Sequence, residues 1–272
     1  MSVIADNVPE RGSREENLLS IQHSEGSMST RSDSFIKVGG VPVSPFDSLA
    51  DCARRILSDA CNGTGGFAIA INAEKVITCG LDRKLEATID RATLRYPDGA
   101  GVVVAMRLKG ARSKRVAGAD LWLEVLRQAR GRYLGIALIG ARPEILTATR
   151  QRIEKEFPDV HVLVARNGYD GLRDTDALTR ELAVAKPHLV FVALGSPGQE
   201  LLIEKLRAAH PTGFYMGLGG SFDIYSGAKK RAPQWMQRCG LEWLYRFLAE
   251  PSRAPRETKR LRFLALLLLG RL

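Results

Sequence analysis

One pattern constrains this chain more than any other: short, continuous apolar runs that recur between helical stretches. The runs are "FAIAI" (67–71), "GVVVAM" (101–106), "LGIALI" (134–139), "VHVLVA" (160–165), "LVFVALG" (189–195) and "FYMGLGG" (214–220). Each is strand-length, rich in Val, Ile or Phe, and mostly bounded by Gly or Pro. A strand with one face in water alternates polar and apolar residues, so continuous apolarity points to strands covered on both faces. Between the runs lie "DLWLEVLRQAR", "PEILTATRQRIEKEF" opening on Pro143, "DALTRELAVAKP" ending before Pro187, and "PGQELLIEKLRAAHP" ending before Pro211. Pro suits the first turn of a helix and stops one just beyond its end. The alternation predicts an α/β fold: a mainly parallel, Rossmann-like sheet with helices on both faces. After Gly220 we expect no further strand. Two helices at about 233–249 and 256–269, separated by "EPSRAP", would form a small helical C-terminal appendage.

The chain has 272 residues, 45% of them hydrophobic, enough for one ordinary core and an accessory piece. Residues 1–33 are polar, mixed in charge and without period, and are expected to be disordered. This divides the chain into a core at 34–228 and the appendage at 229–272. Cys52, Cys61, Cys79 and Cys239 are widely spaced with no CxxC pair, and His23, His161, His188 and His210 are scattered. That usage argues against a zinc site or a disulfide framework, so no metal and no cofactor are expected, in a reducing compartment. We see no secretory signal and no run near the ~20 apolar residues a membrane-spanning helix needs. The net charge of +10 is either a soluble, basic surface or the mark of an anionic partner: nucleic acid, an acidic membrane or phosphorylated substrates. Nucleic acid is disfavoured, because no RRM, KH or helix-turn-helix signature is visible.

Ligands of open α/β sheets bind at the carboxyl ends of the strands. "LIGARPE", "ALGSPGQE" and "GLGGSFD" are strand-to-helix turns with Gly, where helix N-termini attract phosphate, yet none completes a GxGxxG or a P-loop. Asp98 stands in "YPDGAGVVVAM", just before what reads as a buried strand. It is either a turn residue of a D-G pair or a carboxylate able to take a proton from a hydroxyl. Asn72 directly follows "FAIAI" and either caps the next helix or binds a sugar or base edge. Arg107, Lys109, Arg112, Lys114 and Arg115 form either a solvated loop or a grip for phosphate or lipid headgroups.

Taken in order, "INAEKV", "YPDGAGVV", "KRVAGADL", "GYDG", "LGSPGQE", "GLGGSFDIYSGAKKRAP" and "GLEWLYRFLAEPSRAPR" resemble the bacterial WecG/TagA/CpsF glycosyltransferase family. The matching stretches run from about residue 35 to 256. The resemblance implies transfer of a sugar from a UDP-sugar to a sugar on a polyprenyl diphosphate, in bacterial surface or exopolysaccharide synthesis. It implies an inverting, metal-independent reaction with Asp98 as catalytic base, and substrate contacts at Asn72, Arg115 and Gln199. Arg246, Arg253 and Arg256 match a family set thought to close over the nucleotide diphosphate. Two departures stand out: Ala70 where the family usually has Thr, and Gly198 in the usual Pro-Lys-Gln-Glu. A donor of the UDP-N-acetylmannosamine type is expected, with UDP-glucose or UDP-glucuronic acid as the alternative. A basic nucleic-acid-binding protein and a non-catalytic interaction module are rivals of another class. A homo-oligomer stays open.

The tail "ETKRLRFLALLLLGRL" reads as a short amphipathic helix with Leu261, Leu264, Ala265 and Leu268 on one face and Lys259, Arg260, Arg262 and Arg271 as charge. It would either lie in an anionic membrane interface or pack on the domain. We expect the former, giving a cytoplasmic protein peripheral to the inner face of the plasma membrane. Trp235, Trp243, Tyr245 and Phe247 would either anchor this appendage to the core or meet the interface.

Overall fold

The computed structural model describes residues 35–169, 172–251 and 254–272, so the segment expected to be disordered lies outside the described residues. The chain enters through a hairpin, β1 (Ile36–Val38) and β2 (Val41–Val43). Its two-residue turn is Gly39-Gly40, with φ of +56° and +84°, the left-handed pair that a tight hairpin requires. Helix α1 (Leu49–Cys61) leads into β3 (Gly66–Ile71), α2 (Ala73–Cys79), α3 (Arg83–Asp90) and β4 (Leu94–Pro97). Then come α4 (Ala100–Leu108), α5 (Gly118–Gln128), β5 (Leu134–Gly140), α6 (Pro143–Glu156) and β6 (Val160–Arg166). The remainder is α7 (Thr175–Ala185), β7 (Leu189–Ala193), α8 (Gly198–Ala209), β8 (Phe214–Gly217), α9 (Ser221–Tyr225), α10 (Gln234–Arg238), α11 (Glu242–Ala249) and α12 (Ala254–Leu268).

Strands β3 to β8 form one six-stranded parallel sheet in the order β4-β3-β8-β7-β5-β6. Strands β5 and β7 are buried at every position, as the unbroken apolar runs required. The edge strand β6 alternates instead, with His161 and Leu163 exposed. Two apolar clusters cover the faces. One holds Trp122, Phe191, Phe222 and Tyr225 under α1, α5, α6 and α9. The other holds Ile69, Ile71, Val192 and Tyr215 under α2, α4, α7 and α8, and it extends to Phe263 of α12.

Two expectations need correction. The run at 101–106 is not a strand; it lies within α4. Val102, Ala105 and Met106 are buried while Val104 is exposed, which is helical spacing, and the valines' preference for strands is overridden by that packing. The strand in this region is β4, which precedes Asp98; its Arg95 interrupts the apolar run that would have marked it. The expected helix at 233–249 is two helices, α10 and α11, parted at Gly240 with φ +73°.

Candidate active site

The switch in topology places a crevice at the carboxyl edge of the sheet. Strand β3 is followed by α2 on one face, and its neighbour β8 by α9 on the other, so the two connections diverge above the strand ends. Asn72 leaves β3 at this point. Its Oδ1 accepts the backbone N–H of Lys75 at 3.0 Å, so it caps α2. Nδ2 makes no hydrogen bond to the described residues.

Asp98 leaves β4 beside it. Its N–H donates to the Ile71 carbonyl at 2.9 Å and continues the ladder between β3 and β4. Gly99 packs beside Asn72, where a Cβ would stand 3.5 Å from Asn72 Cα, an ordinary contact. Asp98 Oδ1 accepts the N–H of Gly118 at 3.0 Å, in the first turn of α5. Helix α5 is itself fixed by Trp122, whose ring meets Tyr225 at 5.0 Å and Phe191 at 5.7 Å. Oδ2 accepts no hydrogen bond from the described residues, and the carboxylate is half-buried. Below it the Tyr96 hydroxyl is buried without a partner among the described residues. Burial, with the Asp98 charge next, holds the Tyr96 phenol well above its ordinary range, so it stays neutral.

Gln199 forms the crevice floor. Its Oε1 accepts the N–H of Gly219 at 2.8 Å, tying the turn after β8 to the start of α8, and its Nε2 donates to Glu200 Oε1 at 3.1 Å. Glu200 in turn pairs with Lys75 at 2.7 Å, with side chains only 2% and 8% exposed. Burial raises the Glu200 carboxyl and Lys75 more than offsets it, leaving it below its ordinary value.

Arg115 joins this floor to the C-terminal helices. Its Nε donates to the Asp98 carbonyl at 2.7 Å, one Nη to the Gln237 carbonyl at 3.2 Å, and the other to Glu242 Oε2 at 3.2 Å. Arg246 donates to Glu242 Oε1 at 2.5 Å and is 40% exposed, facing outward. The structure thus brings Asn72, Asp98 and Arg115 together, links Arg246 to them through Glu242, and connects the buried Gln199 to the Asn72 cap through Glu200 and Lys75. Arg253 and the side chain of Arg256 lie outside the described residues, as do Asp170 and Gly171 of the "GYDG" stretch.

Sequence reasoning passed over Lys75, Glu200, Glu242, Arg231 and Asp120. Glu242 had a signal, since it stands four residues before Arg246, the spacing of a helical ion pair. The buried Lys75–Glu200 pair had none, because its partners are far apart in sequence.

The tail helix docks by a second apolar face, leaving the expected stripe outward. Phe263 is buried beside Gly101 of α4, Leu266 and Leu267 pack on the same cluster, and Lys259 donates to Thr78 of α2 at 2.9 Å. Leu261, Leu264, Ala265 and Leu268 form the outer face and are exposed. Val104 and Leu108 of α4 are exposed too, as are the basic residues Arg107, Lys109, Arg112, Arg262 and Arg271. Trp235 and Trp243 are exposed rather than sunk in the core, and Arg260 lies over the Trp243 ring at 5.8 Å. No helix among the described residues is long and apolar enough to cross a membrane. Among the same residues no three His, Cys, Asp or Glu side chains gather as a metal site, and the four cysteines are unpaired.

Open parallel α/β sheets bind ligands at the carboxyl ends of their strands, where two connections diverge, and the polar groups described above gather at that place. The sequence matches the model of the glycosyl transferase WecG/TagA/CpsF family over residues 36–272, and the chain belongs to that family. It is a glycosyltransferase.

Proposed function

We propose that the protein transfers a hexose from a UDP-sugar to a sugar carried on a polyprenyl diphosphate, with inversion at the anomeric carbon and without a metal. One observation carries the reading: the Asp98 carboxylate is pinned by the Gly118 N–H through one oxygen and open through the other, with Arg115 holding its backbone carbonyl. Asp98 Oδ2 takes the proton of the acceptor hydroxyl while that oxygen attacks the anomeric carbon; the bond to UDP breaks and its electron pair leaves on the diphosphate. Arg246, with Arg253 and Arg256, neutralises that growing charge, the task a divalent ion performs in other transferases, while Arg115, spent on Asp98, Gln237 and Glu242, holds the loop beside the substrate. Arg suits it because its planar fork binds phosphate oxygens in pairs. Asn72 Nδ2 is free to reach the sugar, while Gln199, spent on Gly219 and Glu200, shapes the floor.

The acceptor is a membrane lipid, and the exposed leucines of α12 with Val104 and Leu108 of α4 suit an interfacial contact. Basic side chains at their edges would meet anionic headgroups, each contributing ~1 kcal/mol. On this reading the work is done at the cytoplasmic face of the plasma membrane. The donor is of the UDP-N-acetylmannosamine type. Ala70 favours keeping UDP-glucose and UDP-glucuronic acid as the second reading, because a methyl there offers the donor no hydroxyl. The test is UDP release from a panel of UDP-sugars with lipid-linked acceptor, in EDTA. Release with one donor supports the reading. Activity that vanishes in EDTA and returns with Mg²⁺ or Mn²⁺ contradicts the arginine assignment, and release with no donor contradicts the reaction.

A further inference from the structure

We infer that Glu242 is a positioning residue of the transfer reaction: it closes a ring of contacts that fixes Asp98, and it holds Arg246 ready to move onto the ligand. The first half rests on the proposed role of Asp98 as base and the second on that of Arg246 toward the diphosphate.

Glu242 occupies the first turn of α11 and is only 6% exposed. A buried carboxylate is costly unless paired. Three guanidinium groups converge on this one: Arg246 at 2.5 Å and Arg231 at 3.6 Å on Oε1, and Arg115 at 3.2 Å on Oε2. Burial raises the carboxyl, and Arg246, Arg231 and Arg115 outweigh it, so Glu242 lies below its ordinary range and stays charged.

The contacts form a closed path. Asp98 Oδ1 holds the first turn of α5 through Gly118. Two residues on, Asp120 takes a two-pronged contact from Arg231. Arg231 reaches Glu242, Glu242 holds Arg115, and Arg115 Nε returns to the carbonyl of Asp98. Asp98 is therefore gripped by its backbone oxygen and its side chain at once, from opposite ends of one loop. The weakest link is between Arg231 and Glu242, an ion pair too long for a hydrogen bond.

Glu242 also sets the state of Arg246. Of the three arginines Arg246 is the most exposed, and Glu242 is its counter-charge. An arriving diphosphate competes for the same guanidinium. Arg115 and Arg231 keep Glu242 neutralised when Arg246 turns away, so the exchange strands no bare charge in the interior.

The test compares full-length wild type with E242Q at equal folded concentration. Gln preserves size and removes charge. Without ligand, exchange of the Gly118 amide should quicken about tenfold while β7 amides stay unchanged. UDP affinity, read by calorimetry, should not fall, because a negative charge beside the anion site is gone. Turnover should drop about 10²-fold, as expected when a reacting group is displaced by an ångström or so. That divergence between turnover and affinity is not what simple unfolding gives. Unchanged Gly118 exchange and turnover would overturn the inference. So would losses in UDP affinity and turnover that run parallel with faster β7 exchange. Should E242Q not fold, D120N opens the same ring at the half-buried Asp120, with the same pattern expected at smaller size. If wild type itself binds no UDP, the diphosphate reading fails, and Gly118 exchange still decides whether Glu242 positions the Asp98 loop.

Discussion

Glu200 and Glu242 are both buried carboxylates beside the crevice, yet Glu200 faces one lysine and Glu242 faces three arginines. Around Glu200 the partners are sealed: Lys75 and Gln199 are themselves buried, and Oε2 has no donor among the described residues. Around Glu242 the partners grade outward, from Arg115 and Arg231 at 28% and 22% exposure to Arg246 at 40%. The difference separates two uses of buried charge. A closed pair with no spare cation joins α2 to α8 and fixes the crevice floor. A surplus of arginines on one carboxylate leaves a cation that can be lent to a ligand.

The largest way to break this comparison is to remove one cation from each side. Lys75→Met leaves Glu200 buried and uncompensated and should cost about 3–5 kcal/mol of stability, read as a fall in Tm. Arg246→Ala should leave stability within about 1 kcal/mol, since Arg115 and Arg231 still neutralise Glu242, while lowering kcat/KM for the UDP-sugar by about 10-fold or more, on the order of a lost charge-assisted contact. Equal losses of stability in the two variants would erase the distinction drawn here.

A smaller effect is expected on the outer face of α12. The docked face is Phe263, Leu266 and Leu267, so deleting the helix would expose α2 and α4 as well. Replacing Leu261, Leu264 and Leu268 with Ser leaves the docking intact. Sedimentation with anionic vesicles should fall about tenfold or more, from lost apolar burial alone, with Tm unchanged. Vesicle binding equal to wild type would show that this face is not the membrane contact.

The smallest effect is on pH dependence. Glu242 and Glu200 both titrate below their ordinary value of 4.5 in the folded protein. Their contribution to stability is complete above about 4.5, the unfolded value, and is lost as pH falls through the lower folded values. E242Q removes one of these groups, so its Tm should decline less steeply below that point than wild type. Parallel slopes would show that Glu242 is not held in its charged form by the arginines.

The sheet was legible because its central strands are apolar on both faces, and "LGIALI" and "LVFVALG" can hardly be anything else. The run at 101–106 misled because a helix with one strongly buried face and small or branched residues mimics a buried strand over six positions. Correcting it sharpens the site, since Asp98 now ends a strand and sits where ligands of such sheets bind. Asn72 was legible as a cap from its place after a strand, and the cap is present. The ring through Asp120, Arg231 and Glu242 was not legible. Its partners stand 111 and 127 residues apart along the chain for Arg231–Asp120 and Arg115–Glu242, and only the fold brings them together. The tail was half legible: the outward stripe of Leu261, Leu264, Ala265 and Leu268 was expected, but the second apolar face, Phe263, Leu266 and Leu267, which docks the helix, was not.

The reading of Asp98 as the base is tested most directly by turnover of Asp98→Asn at saturating UDP-sugar and lipid-linked acceptor, measured as UDP release. Asn keeps an oxygen for the Gly118 N–H, so the loop and the melting temperature should be preserved while proton removal is lost. Turnover should fall about 10²–10⁴-fold. Turnover at the wild-type rate by the folded variant would contradict the assignment of Asp98 as the base.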